Sequence, residues 1–107
     1  MRRLEVRFSE LALGDLAEIV EYIASESSPL AAERYLGEIM AACERIADAP
    51  DGGRRRDDLR PGLRSWAMPK RAVILYAIEG GAVRIAGIFP RGRSVDARYR
   101  NPRTFIE

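Results

Sequence analysis

Residues 70–93 read KRAVILYAIEGGAVRIAGIFPRGR. Two apolar runs, 72–78 and 82–89, flank Gly80-Gly81, and a two-residue Gly-Gly connection supplies the positive φ angles that tight hairpin turns need. With that turn Glu79 faces Ala82, Tyr76 faces Ile85, Ile74 faces Gly87 and Ala72 faces Phe89, which sorts the side chains by face. One face carries Ile74, Tyr76, Ile78, Val83, Ile85 and Phe89 and reads as core. The other carries Val73, Leu75, Ala77, Ala86 and Ile88, interrupted by Arg84, and is too apolar for open water.

Working outward, Leu63-Arg64-Ser65-Trp66-Ala67-Met68 alternates like a strand entering the hairpin from the Pro61-Gly62 turn. At the front, Leu4, Val6 and Phe8 alternate with Glu5 and Arg7, a short first strand. Ser9 then caps a helix with an apolar stripe through Leu13, Leu16, Val20 and Ile23, ending near Ser25. Ser28 caps a second, with Pro29 at its first position and a stripe through Ala32, Tyr35, Leu36, Ile39, Met40, Cys43 and Ile46 that stops at Ala49-Pro50. Residues 51–58, DGGRRRDD, read as a solvated polar loop. The expected fold is α+β, in the order β-α-α-β-β-β: an N-terminal strand, an αα-hairpin and a three-stranded antiparallel meander, with the helices on one face of the sheet. All 107 residues fit one domain, with a basic tail from about residue 94 that has room for one helical turn around Val95 to Tyr99.

Charge is two-sided. Residues 1–50 hold five basic and ten acidic groups, and residues 51–107 hold thirteen basic and six acidic, with Lys70 the sole lysine. Arginine suits bidentate contact with carboxylate or phosphate. The chain opens on charged MRRLEVRF, with no apolar signal segment and no run near the roughly 20 apolar residues of a membrane span, so the expected compartment is the cytoplasm. A lone Cys43 amid helically spaced apolar residues reads as a buried thiol.

The chemical inventory is thin. Without histidine there is no Ser–His or Cys–His nucleophile pair and no histidine metal site, and no phosphate-binding glycine motif appears. No cofactor, no metal and no sequence-specific nucleic-acid contact is expected. Only arginine-and-tyrosine chemistry on RNA remains, with arginines offsetting phosphate charge and a tyrosine in proton transfer.

The uncovered sheet face is the physical case for a partner. A helical hairpin covers one face of a four-stranded sheet, so the groove of Val73, Leu75, Ala77, Ala86 and Ile88 needs the tail, a second copy or another protein over it. Arg64, Arg84, Arg91 and Arg93 rim that groove.

Taken together, DLAEIVEYIASESSPLAAERYLGEIMAACERIADAP followed by GLRSWAMPKRAVILYAIEGGAVRIAGIFPRGR resembles the ParE branch of the RelE/ParE toxin superfamily, over residues 4 to about 93. The marks are Asp15-Leu16, Tyr22-Ile23, Pro29 with Ala31-Ala32, Pro50, Gly62-Leu63-Arg64 and the strand pair with Ile74, Tyr76, Val83 and Ile85. The resemblance implies the toxin of a bacterial type II toxin–antitoxin pair, neutralised by a ParD-like antitoxin and acting on DNA gyrase by direct binding rather than catalysis. On that reading Arg64, Arg91 and Arg93 contact the target, and Val73, Leu75, Ala77, Arg84, Ala86 and Ile88 contact the antitoxin. The runner-up is a RelE-like ribosome-dependent messenger-RNA endoribonuclease using Arg64, Arg91, Arg93 and Tyr99. Against it, Val73 occupies the strand position where RelE-like enzymes carry arginine. A third reading is an interaction module without toxicity.

Overall fold

The computed structural model describes residues 3–99, the last of them by its backbone alone. The elements run β1 (Glu5–Phe8), α1 (Glu10–Glu26), α2 (Pro29–Asp48), a 3-10 turn (Pro50–Gly52), β2 (Arg54–Arg55), β3 (Arg64–Met68), β4 (Ala72–Glu79), β5 (Ala82–Pro90) and α3 (Val95–Tyr99). They form one mixed sheet in the order β1-β5-β4-β3-β2, with the αα-hairpin packed on one face.

Both helix starts follow their capping chemistry. Ser9 Oγ accepts from the Ala12 N–H and donates to the Ala86 carbonyl, while the Ser9 N–H donates to the Ile85 carbonyl. One serine thus caps α1 and ties it to β5, which pairs in parallel with β1 from Glu5↔Ala82 to Phe8↔Ile85. Ser28 accepts from the Ala31 N–H and Pro29 opens α2.

The sheet has one strand more than the residues suggest. Arg54 and Arg55, read as part of a solvated loop, pair antiparallel with Ser65 and Arg64 and form the short edge strand β2. Charge at a two-residue edge protects the sheet from further pairing.

The hairpin turn is as expected, with Gly80 at φ 56° and Gly81 at φ 77°, both in the left-handed region of a type I′ turn. Its register is not. Glu79↔Ala82 and Tyr76↔Ile85 hold, but between Leu75 and Tyr76 the pairing slips by one residue, giving Leu75↔Gly87, Ile74↔Ile88, Val73↔Phe89 and Ala72↔Pro90. Ala86 is the extra residue of a bulge, so the expected Ile74–Gly87 and Ala72–Phe89 pairs do not form. Past that point the faces of β5 exchange: Ile88 joins the core beneath the helices, and Phe89 turns to the other face beside Val73.

The core joins Tyr35, Ile39, Cys43 and Ile46 of α2, Ala12 and Ile19 of α1, and Ile74, Tyr76, Val83, Ile85 and Ile88 of the sheet. Four residues expected on apolar faces, Leu13, Leu36, Met40 and Ile78, lie nearer water. Leu13 is 53% exposed because α1 turns the small Ala12, not Leu13, toward the sheet at the Ser9 anchor. Met40 sits at the outer margin of α2, and Ile78 is exposed beside the hairpin turn, beyond the reach of the helices.

Between β3 and β4 the chain turns at Lys70, whose φ of 63° is the one non-glycine value in the left-handed region among the described residues. The Arg71 N–H closes the turn on the Met68 carbonyl at 2.9 Å. A Cβ in this conformation costs about 1–2 kcal/mol. Lys70→Gly is therefore expected to raise unfolding stability by about 0.5–1 kcal/mol in urea titrations, after the entropy of the freer unfolded chain is set against that relief; an unchanged or lower midpoint would count against strain at this turn.

Candidate functional site

Arg64 and Tyr76 are cross-strand partners at one end of the sheet. The Tyr76 ring is fully buried, and its hydroxyl donates to the Pro50 carbonyl at 2.7 Å while accepting from the Gly53 N–H at 2.9 Å. Burial holds the Tyr76 pKa above the ordinary tyrosine value, against the lowering effect of the Gly53 N–H and Arg64. The hydroxyl therefore stays protonated. Arg64 Nη1 donates to the Gly53 carbonyl at 3.0 Å and the Asp51 carbonyl at 3.2 Å, so its guanidinium secures the turn after α2.

Arg91 and Arg93 stand at the opposite end. Both are exposed, with the Arg91 N–H on the Arg71 carbonyl at 3.2 Å and the Arg93 N–H on the Pro90 carbonyl at 3.0 Å. Tyr76 lies across from Ile85, and Pro90 is reached only at the far end of β5, opposite Ala72. At about 3.3 Å per residue this separates the two arginine groups by roughly 16 Å. The structure does not bring Arg64 together with Arg91 and Arg93. Tyr99 closes α3, and its side chain lies outside the described residues.

The second sheet face differs from the open groove read in the sequence. Val73, Ala77, Arg84 and Ala86 are half-buried, Leu75 is completely buried within the chain, and Ile88 belongs to the helix side. Part of the cover is the C-terminal segment itself. The Arg98 guanidinium lies 4.4 Å from the centre of the Phe89 ring, and a Cβ at Gly87 would meet Arg98 Nη1 at 3.1 Å. Arg98 also bonds both oxygens of Asp15 on α1, at 2.8 and 2.5 Å, and the same carboxylate accepts from the Ile88 N–H at 2.9 Å. Arg56 bonds Asp58 and Asp96, joining the loop after β2 to α3. These carboxylates raise the Arg56 pKa, and Asp58 is correspondingly held below the ordinary aspartate value.

Between α1 and the end of β5 runs a groove of about 970 Å³. Glu18, Glu21 and Tyr22 line its α1 side, Pro90, Arg91 and Arg93 the other, and Ile19, Ile88 and Phe89 lie beneath. Reasoning from strand faces missed this groove, because it is built from a helix and a strand end remote in sequence. The signal available was the charge asymmetry, acidic in the first half and basic in the second, which the groove sets wall against wall.

Little else is chemically poised. Burial pushes the Cys43 thiol up to about 11, leaving it inert in the folded chain. Among the described residues no group of three His, Cys, Asp or Glu side chains could hold a metal ion, and no helix is long and apolar enough to cross a membrane.

A family model described as ParE toxin of type II toxin-antitoxin system, parDE, matches residues 6–95. Among solved structures, a chain of "Chromosomal ParDE TA system from P. aeruginosa" is similar with a TM-score of 0.71 at 17% identity, over 82% of this chain and 96% of that one. At that identity the likeness speaks for the fold alone. No curated protein matches in sequence.

Proposed function

The chain belongs to the ParE toxin family of type II toxin–antitoxin systems, and from that membership we propose that it acts by binding DNA gyrase directly, through the basic end of its sheet, and is neutralised by a ParD-like antitoxin. The observation that carries the binding reading is the division of labour among the arginines. Arg64 is spent on backbone carbonyls inside the fold, whereas Arg91 and Arg93 present their charge to solvent side by side. Two exposed guanidinium groups suit an acidic or phosphate-bearing surface of a large partner.

The ribonuclease reading asks Arg64, Arg91, Arg93 and Tyr99 to surround one phosphate. A separation of roughly 16 Å along the sheet weighs against that, since groups acting on one reacting centre must lie within a few ångströms of it. The locked Tyr76 hydroxyl offers no substitute proton donor.

Purified toxin added to gyrase supercoiling and cleavage assays is expected to block supercoiling and accumulate cleaved DNA. Arg91→Glu with Arg93→Glu should raise the inhibitory concentration by roughly ten-fold or more, as expected for reversing two charges at a contact. Unimpaired supercoiling by excess toxin would remove gyrase as the target. Codon-phased messenger-RNA cuts in primer extension would instead restore the nuclease.

A further inference from the structure

We infer that the sheet end built from the β3–β4 turn and the segment after β5 binds the phosphate backbone of a DNA duplex, with Lys70, Arg91 and Arg93 as its contacts. The site stands on its own geometry; that the duplex is one held by gyrase rests on the target reading above.

Two turns are fastened together at this end. The Arg71 N–H closes the β3–β4 turn on the Met68 carbonyl, and the Arg91 N–H donates to the Arg71 carbonyl at 3.2 Å, one step beyond the Ala72↔Pro90 pair. Arg71 and Arg91 therefore stand on neighbouring strands about 5 Å apart, with Lys70 and Arg93 close by. At about 3.8 Å per chain step, the four Cα atoms lie within about 17 Å of one another. Arg71 has a carboxylate beside it, Glu38 at 3.0 Å. Among the described residues Lys70, Arg91 and Arg93 have none. Like charges held this close together favour a polyanion.

Lys70 is a second, independent observation. It is the one lysine of the chain, and the other described residues at positive φ, Gly62, Gly80, Gly81 and Gly92, are all glycine. Glycine would hold this turn without strain, so nothing in the fold calls for a Cβ at φ 63°. A strained side chain at an exposed turn points to a use for its charge. A lysine ammonium binds phosphate as a point charge, and the arginines beside it add fork-shaped donors.

The surroundings select phosphate over an acidic protein patch. Every residue of 69–71 and 91–94 is exposed, and no large apolar side chain stands among them. A protein contact is centred on apolar or aromatic anchors, where lysine is depleted, whereas a nucleic-acid surface is polar and strongly positive. Glu18 and Glu21 on the α1 wall repel a polyanion from the groove, so the strand crosses the tip instead. A span of about 17 Å faces roughly five phosphates of one strand, at about 3.4 Å of rise each, which leaves room for three contacts.

The test is fluorescence anisotropy of a short labelled duplex of mixed sequence, titrated with the full chain at about 50 mM salt and upward. The logarithm of affinity should fall with the logarithm of salt with a slope of about −3, as three phosphate contacts require. Lys70→Gly should weaken binding roughly five-fold and flatten the slope by about 1 while raising the unfolding midpoint, a combination that a structural role for Lys70 does not produce. Arg54→Gln, the same change of net charge on β2 near the Tyr76 end, should alter affinity by no more than about two-fold. Gyrase carrying a duplex should capture the toxin about ten-fold more tightly than gyrase alone. The inference falls if the duplex is not bound, if Lys70→Gly binds as tightly as the unaltered chain, or if Arg54→Gln loses as much. Tighter binding of a single-stranded RNA of the same length would overturn it in favour of RNA, and equal capture by gyrase with and without duplex would overturn the placement of this DNA on gyrase. Duplex binding without any effect on gyrase would remove the target reading and leave the site, whereas gyrase inhibition by a toxin that binds no duplex would remove the site and leave the target.

Discussion

Gly53→Ala is expected to lower unfolding stability by about 2–4 kcal/mol, and with it the thermal midpoint by roughly 10–20 °C. Backbone conformation is not the cause, because Gly53 sits at φ −74° and ψ 154°, where alanine is at ease. Space is the cause. A Cβ there would run into the Tyr76 hydroxyl and come within 2.7 Å of Cε1 and 2.9 Å of Cζ. Tyr76 cannot retreat: its ring is fully buried and its hydroxyl bridges Pro50 and Gly53. The chain must either open the turn after α2, losing those bonds and the Arg64 contacts to Asp51 and Gly53, or tilt a central side chain off its packing. Gly52→Ala is the natural control, since its nearest neighbour is the edge of the Trp66 ring at 3.1 Å, on a partly exposed side chain with room to give. Equal losses for the two variants in chemical denaturation would sink the argument. Tyr76→Phe in the Gly53→Ala background should show a coupling larger than about 0.5 kcal/mol, because the two changes act on one contact.

The same node shows what the sequence carried and what it did not. In the sequence Gly52-Gly53 belongs to a polar loop, and nothing local marks Gly53, because its constraint comes from a tyrosine 23 residues away. Arg64 reads in the sequence as a target contact, and the folded turn adds that its guanidinium holds the Asp51 and Gly53 carbonyls. The helices were legible because Ser9, Ser28 and Pro29 act locally and the apolar spacing of α2 repeats for five turns. The hairpin was legible at its turn and illegible four residues along, since a bulge leaves the composition of a strand unchanged while exchanging its faces. Gly87 was the available signal: a glycine inside an apolar strand marks a bulge or a close approach, and here it marks both, lying beside the shifted step and beneath Arg98. The shifted register moves Ile88 to the helix side, while Val73 and Leu75 of β4 keep the face away from the helices. Short β2 and the parallel pairing of β1 with β5 rest on contacts between distant segments that no local pattern encodes.

Asp15→Ala should be the other costly change, by about 2–4 kcal/mol, although Asp15 looks like a polar residue beside a helical stripe. Its side chain is 13% exposed and that of Arg98 23%, so the pair is sheltered but not sealed, and the figure sits below the cost of breaking a fully buried pair. The carboxylate answers two needs at once: it gives the Ile88 N–H an acceptor where β1 has ended, and it anchors the guanidinium that holds α3 against Phe89. Alanine leaves both donors without that acceptor. Arg98→Met keeps an apolar stem over Phe89 and leaves Asp15 its bond to Ile88, so it should cost less, about 1–2 kcal/mol, and the double variant less than the two singles together. Hydrogen exchange separates this account from a general loosening. In Asp15→Ala the Ile88 amide should exchange roughly thirty-fold faster relative to its strand neighbours, whereas in Arg98→Met it should stay protected while trypsin cuts faster after Arg93. Uniform acceleration along β5 in both variants would mean that Asp15 stabilises the fold in some other way than by capping the strand edge and latching α3.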